Sequence, residues 1–315
     1  STDVRILTST NRNLEEEVRF YKAKCDEMKD ELADVDFAVD ELVTSGEQAA
    51  ALKDRLAEVD GVLLIHLNIG ITPILHAILG AGRPTMIFAV PYSGHEWVGF
   101  GALRKQEIGA QMDCMLTTDY QQLAVAIRPF RAIHHLREAK ILNVTTRMPA
   151  EYCEAIREKF GTEIKQVELE RVVAAYNAVD DGEAKAEAKR WIEGAKQVVE
   201  PSEEDVFKSC KMALAFEKLM DEEEATVMTA ACYGSMHKPL CQAYAYPCIG
   251  FVRLNNMGLG GICESDLQSA MTHVLLQGLV GRPGFISDPT MDEASGSIIL
   301  AHCLGFIGVS YFGQI

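Results

Sequence analysis

Glu264, Asp288 and His302 are two carboxylates and an imidazole set 24 and 14 residues apart along the chain. These are the donor types that hold a divalent cation such as Mn²⁺ or Mg²⁺. Glu264 follows Gly260-Gly261-Ile262-Cys263 and precedes a helical apolar stripe: Leu267, Ala270, Met271, Val274, Leu275 and Gly278. Such a stripe needs a core to face. Stepped back one turn it reaches Glu264, so the spacing predicts a carboxylate aimed at that core. Buried bare, the group costs several kcal/mol or more, so it must be protonated, paired or bound to metal. Asp266 reads as the helix cap, and Gly281 with Pro283 as the helix stop. Gly284-Phe285-Ile286-Ser287 reads as a short strand delivering Asp288, and Ser297-Ile298-Ile299-Leu300-Ala301 as a second strand delivering His302. Each residue alone has an ordinary explanation: acids favour a helix's first turn, Asp-Pro marks turns, and a single histidine is commonly a hydrogen-bonded core residue. The joint pattern carries the metal reading.

Cys-Glu-x-Asp, an amphipathic helix, a Gly-Arg-Pro exit, an Asp and then Leu-Ala-His-Cys together resemble the L-fucose isomerase and L-arabinose isomerase superfamily. These are manganese-dependent aldose–ketose isomerases. The pattern is specific between Cys263 and His302 and weak before Ala225. The resemblance implies a metal site on Glu264, Asp288 and His302, holding Mn²⁺ with Mg²⁺ or Co²⁺ as alternatives. It also implies that Glu264 and Asp288 are the catalytic carboxylates, moving a proton between adjacent sugar carbons through a cis-enediol. A small sugar substrate and a homo-oligomer, trimer or hexamer, are further implications. The family continues well past the Leu-Ala-His-Cys segment into a β-rich third domain, whereas this chain ends at Ile315. That early end favours the alternative of a sugar-binding or regulatory relative without turnover. A third reading is another metal-assisted lyase or hydrolase on the same scaffold.

The 315 residues, 48% hydrophobic and 24% charged, suit a globular protein with more than one core. No apolar run is long enough to span a bilayer, and no secretory leader is visible. A net charge of −16 disfavours nucleic acid, which needs clustered Lys and Arg. Nine cysteines at irregular spacing, without a Cys-x-x-Cys pair, argue against a disulfide framework and a zinc ribbon. They read as small hydrophobes in a reducing cytoplasm.

Strand-like and helix-like segments alternate along the first half: strands at Val4–Thr8, Asp36–Val39, Gly61–Ile65 and Thr85–Val90, and helices from Asn13 to about Ala33, at Gln48–Glu58 and at Ile71–Leu79. Buried strands alternating with helices mean a parallel sheet covered on both faces, flavodoxin-like or Rossmann-like. A second α/β unit opens near Lys140, with strands at Ile164–Leu169 and Ala225–Thr229 and a helix Glu203–Met220 capped by Ser202. The predicted domains are therefore residues 1–138, 139–281 and 282–315, the last being the beginning of a truncated β-rich domain. Tyr233 to Gly261 reads as loop and short strands. Arg12 and Arg147, each just past a strand, are candidate contacts to substrate oxygens. Trp97, beyond the strand at Thr85–Val90 where open α/β sheets bind ligands, could stack on a sugar. Gly258-x-Gly260-Gly261 lacks the following Lys-Ser/Thr and is rejected as a phosphate loop.

Overall fold

Runs of consecutive apolar residues fold here as parallel strands buried from both sides. The computed structural model describes residues 2–9, 14–28, 33–67, 70–89 and 97–303. The chain divides into two units, Ser1–His134 and His135–Ile315. The division falls four residues before the expected one, and the described residues 282–303 group with the second unit.

In the first unit, β1 (Thr2–Ser9), β2 (Val35–Leu42), β3 (Gly61–His66), β4 (Thr85–Ala89) and β5 (Met112–Leu116) form one sheet. Its order is β2-β1-β3-β4-β5, and every pairing is parallel. Successive β3 residues serve opposite faces. Val62 and Leu64 pack with Ile74 and Ile78 of the helix Thr72–Leu79, while Leu63 and Ile65 pack with Ile127 and Phe130 of the helix Gln122–Glu138. The helix predicted from Asn13 to Ala33 ends at Glu27, and Asn13 lies outside the described residues. The one predicted over Gln48–Glu58 is two short helices meeting at Leu52.

The second unit repeats this plan. β6 (Lys140–Val144), β7 (Glu163–Val167), β8 (Val227–Ala230) and β9 (Gly260–Cys263) are parallel in the order β7-β6-β8-β9. Leu142, Met228 and Cys263 face a cluster centred on Phe216 and Phe251. Ile141, Val227 and Ile262 face Ile156 and the stripe Leu267, Ala270, Met271 and Val274. The helix Glu203–Glu223 is capped by Ser202, with Asp205 closing a capping box.

Residues 233–261 correct the expectation of loop and short strands. They hold a π-helical turn, His237–Gln242, and the helix Cys248–Asn256. Gly250 is not a breaker there. A Cβ at that position would lie 3.1 Å from the Phe216 ring and 3.2 Å from Ala213 Cα, so its glycine permits close helix–helix contact. From this helix the Arg253 guanidinium pairs with Glu187 at 2.7 Å and with Glu217.

Past the helix Leu267–Val280, whose exit is Gly281 at φ +67°, β10 (Asp288–Asp292) and β11 (Ser297–Ala301) form a separate antiparallel hairpin. β11 has the predicted limits but is exposed throughout, because a two-stranded ribbon has no second layer to cover it.

His273, inside the helix Leu267–Val280, gives the fold a pH dependence. It is 3% exposed, and its Nδ1 accepts from the Gly284 N–H at 3.3 Å. Burial pushes its pKa down to about 4. In the unfolded chain it titrates near about 6.5, so as pH falls from there to about 4 the unfolded state takes up a proton that the folded state refuses. Stability from this group is intact above pH ~6.5 and falls by ~3 kcal/mol as pH drops to ~4. Urea unfolding of wild type and His273→Leu between pH 7.5 and 4.5 should show a shallower decline in the variant; parallel declines would remove His273 as the cause.

Candidate metal centre

In open α/β sheets ligands gather beyond the carboxyl ends of strands, where strand order reverses. Val144, Ala230 and Cys263 lie in register across β6, β8 and β9. The segments after them, Thr145–Arg147, Ala231–Tyr233 and Glu264–Asp266, therefore leave one edge of the sheet together.

β9 reaches that edge because of its glycines. A Cβ on Gly261 would lie 2.4 Å from Phe251 Cα, and one on Gly260 would lie 2.7 Å from Val227 Cγ2. Asn255, 3% exposed, completes the packing by accepting from Gly261 N at 2.8 Å and donating to Gly261 O at 3.1 Å. The glycine-rich run is thus a strand-packing device.

At the end of β9 the backbone turns through two left-handed residues, Glu264 at φ +67° and Ser265 at φ +61°. Non-glycine residues in that region store roughly 1–2 kcal/mol each. The Ser265 hydroxyl donates to Asn143 Oδ1 at 2.6 Å, tying the turn to β6, and Asp266 caps the next helix by accepting from Gln268 N and Ser269 N, both at 3.0 Å. This turn corrects the prediction that Glu264 continues the helical stripe into a core. The helix starts at Leu267, and the left-handed pair swings Glu264 to an exposed position. Its carboxylate therefore needs no buried partner, and the desolvation reason for a metal lapses.

The hairpin brings the other two groups. Gly284–Ser287 is not the predicted strand; it is irregular, and Asp288 is the first residue of β10. None of those four residues joins the ladder, since β11 pairs with Asp288–Asp292. His302 follows β11 as expected. Its side chain is 5% exposed against 87% for Asp288, and its Nε2 lies 4.0 Å from Asp288 Oδ2. One donor atom from each of Glu264, Asp288 and His302 lies within 4.8 Å of the other two. Octahedral ions with bonds of about 2.1 Å place adjacent ligands about 3.0 Å and opposite ligands about 4.2 Å apart, so the three donors would have to draw inward to share one hard cation. His302 Nδ1 meets Cys303 Sγ at 3.4 Å, a partner that leaves Nε2 to face the carboxylates.

Four cysteines converge behind these residues: Cys232 after β8, Cys248 opening a helix, Cys263 ending β9 and Cys303 after β11. Cys303 Sγ is 3.8 Å from both Cys248 Sγ and Cys263 Sγ. The Cys232 thiol is pulled down to about 6 by a hydrogen bond from the Cys263 thiol, against its burial, with the Glu264 and Tyr233 amides also donating to it. Cys263 is correspondingly pushed up, and burial raises Cys248 to about 12. Spacings of 16, 15 and 40 residues match no linear metal motif, so only the fold reveals this group. Tyr233, 67% exposed, lies close enough for Cys303 to raise its phenol, and its ring stacks on His237 at 6.2 Å.

The other predicted contacts are Arg147, Trp97 and Arg12. Arg147 is exposed beyond β6, held through its backbone N–H to Thr145 Oγ1 at 3.2 Å. Trp97 opens the helix Trp97–Leu103 of the first unit. Arg12 lies outside the described residues.

No family model matches the chain, and no curated protein matches it. Among the described residues no helix is long and apolar enough to cross a membrane.

Proposed function

We propose that this protein is a metal-dependent aldose–ketose isomerase of the fucose/arabinose isomerase type, working on a small sugar as a cytoplasmic homo-oligomer. The observation that carries this is the meeting of Glu264, Asp288 and His302, far apart in sequence, with donor atoms within 4.8 Å of one another at a sheet's carboxyl edge. The donor set suits Mn²⁺, and Mg²⁺ or Co²⁺ also fit it. When bound, such an ion supplies charge stabilisation to the carbonyl and adjacent hydroxyl oxygens of the sugar.

The residues have separable tasks. His302 offers Nε2 to the ion while Nδ1–H is held by Cys303 Sγ. Glu264 and Asp288 come from a turn and from a hairpin, so they can serve two sides of a planar cis-enediol. One removes the carbon-bound proton and the other moves the hydroxyl proton, as general base and acid. The exposed face of Tyr233 offers a surface on which sugar C–H groups stack.

The exposure of Asp288 favours a second reading, sugar binding without turnover, since an open carboxylate shares its site with water. Incubation of the protein and Mn²⁺ with a panel of aldoses in D₂O separates the two. Isomerisation yields ketose and carbon-bound deuterium in the recovered sugar. Calorimetric sugar binding with neither product would leave only the second reading.

A further inference from the structure

The thiols behind the triad have the spacing of a second kind of metal site. Zinc bound tetrahedrally, with Zn–S near 2.3 Å and Zn–N near 2.05 Å, sets S···S edges of about 3.8 Å and S···N edges of about 3.6 Å. Cys263 Sγ and Cys303 Sγ are 3.8 Å apart, Cys248 Sγ and Cys303 Sγ are 3.8 Å apart, and Cys303 Sγ is 3.4 Å from His302 Nδ1. Donor atoms of Cys263, His302 and Cys303 all fall within 4.8 Å of one another. Disulfide sulfurs sit near 2.05 Å, and all these cysteines are free.

We propose that Cys263, Cys303 and His302 form a three-residue binding site for a thiophilic divalent cation, Zn²⁺, with a solvent molecule as the fourth ligand. Thiols packed as small hydrophobes also touch at such distances. Two features go beyond packing: an imidazole nitrogen belongs to the same cluster, and Cys303 is exposed, which gives an ion a path in. On binding, the two thiols release their protons to solvent and ligate as thiolates.

The two sites share one imidazole. A neutral imidazole has one ring nitrogen bearing a proton and one free lone pair. Zn²⁺ on Nδ1 therefore leaves the proton on Nε2 and takes that nitrogen from the carboxylate site. Zn²⁺ thus antagonises the hard cation, a consequence that rests on the proposed function above, whereas Zn²⁺ binding itself does not.

The test uses the whole protein and two metals. Titration with Cd²⁺, a spectroscopic stand-in for Zn²⁺, should produce a thiolate-to-metal charge-transfer band saturating at one equivalent and displaced by Zn²⁺. Cys303→Ser, a change at an exposed position, should abolish the stoichiometric band, whereas Glu264→Gln and Asp288→Asn should retain it. A band of full amplitude in Cys303→Ser, or none in the wild type, overturns the proposal. Mn²⁺ electron paramagnetic resonance supplies the second arm. One equivalent of Zn²⁺ should release bound Mn²⁺ from the wild type and not from Cys303→Ser; Mn²⁺ retained by the wild type in the presence of Zn²⁺ overturns the antagonism. Failure of Mn²⁺ to bind at all, with the Cd²⁺ band present, counts against the isomerase function and leaves the thiol site standing.

Discussion

Glu264→Gln is expected to lower Mn²⁺ affinity by at least about 100-fold and kcat/KM for isomerisation by ~10²–10⁴-fold, without unfolding the protein. Removing an outer partner of a metal ligand typically costs about 10–100-fold in affinity, so losing a direct anionic ligand should cost no less. If Glu264 is also a proton-transfer group, the loss of general acid–base catalysis sets the upper figure. Glutamine keeps the shape and the left-handed backbone at φ +67° and removes only the charge. Glu264→Gly is the companion variant. It should abolish Mn²⁺ binding equally, yet leave Tm unchanged or slightly raised, because glycine relieves about 1 kcal/mol of left-handed strain and loses part of that gain to unfolded-chain entropy. Mn²⁺ titration followed by paramagnetic resonance, with an isomerase assay and a thermal melt on the same samples, reads all three. Full isomerase activity in Glu264→Gln would remove Glu264 from the mechanism.

Gly261→Ala is expected to be the most damaging methyl group that can be added to the second unit. The new Cβ would lie 2.4 Å from Phe251 Cα and 2.5 Å from Phe251 O. Both are backbone atoms of a buried helix, so no side chain can swing aside. Overpacking of this kind costs about 1–3 kcal/mol. Displacing β9 also breaks the paired bonds between Asn255 and Gly261, leaving a buried amide unsatisfied for about 1–3 kcal/mol more. A total of ~3 kcal/mol corresponds to a fall in Tm of roughly 10 °C for a unit of this size. Gly234→Ala is the control, since its Cβ would meet nothing nearer than 3.5 Å and should change stability by under about 0.5 kcal/mol. Equal melts for the two variants would show that β9 relaxes away from the helix. Because Glu264 follows β9 directly, weakened Mn²⁺ binding in Gly261→Ala should track the loss of stability.

The amino-acid sequence by itself determined the layers and the order of the local elements. Apolar runs such as Gly61–Ile65 and Thr85–Ala89 are strands because unbroken runs of apolar residues bounded by turn residues are a short-range property of the sequence. Ser202 and Asp266 cap helices because their side chains need only reach amides two or three residues away. His302 after the strand Ser297–Ala301, and Asp288 and Glu264 as a carboxylate pair, were legible from residue type and spacing.

What was misread has two causes, long-range packing and a local left-handed turn. Gly250 and Pro247 suggested a loop by composition, but Gly250 lies where a helix must touch Phe216 and Ala213, and proximity in space overrode local propensity. Glu264 was projected along a helical period that its own left-handed turn interrupts. The four-cysteine group is invisible along the chain because its members come from four separate elements. Tertiary structure alone decided that the carboxylates and the thiols approach one imidazole from its two nitrogens. Register across β6, β8 and β9 and the fold-back of a hairpin set that meeting point, and both are contacts between residues far apart in sequence.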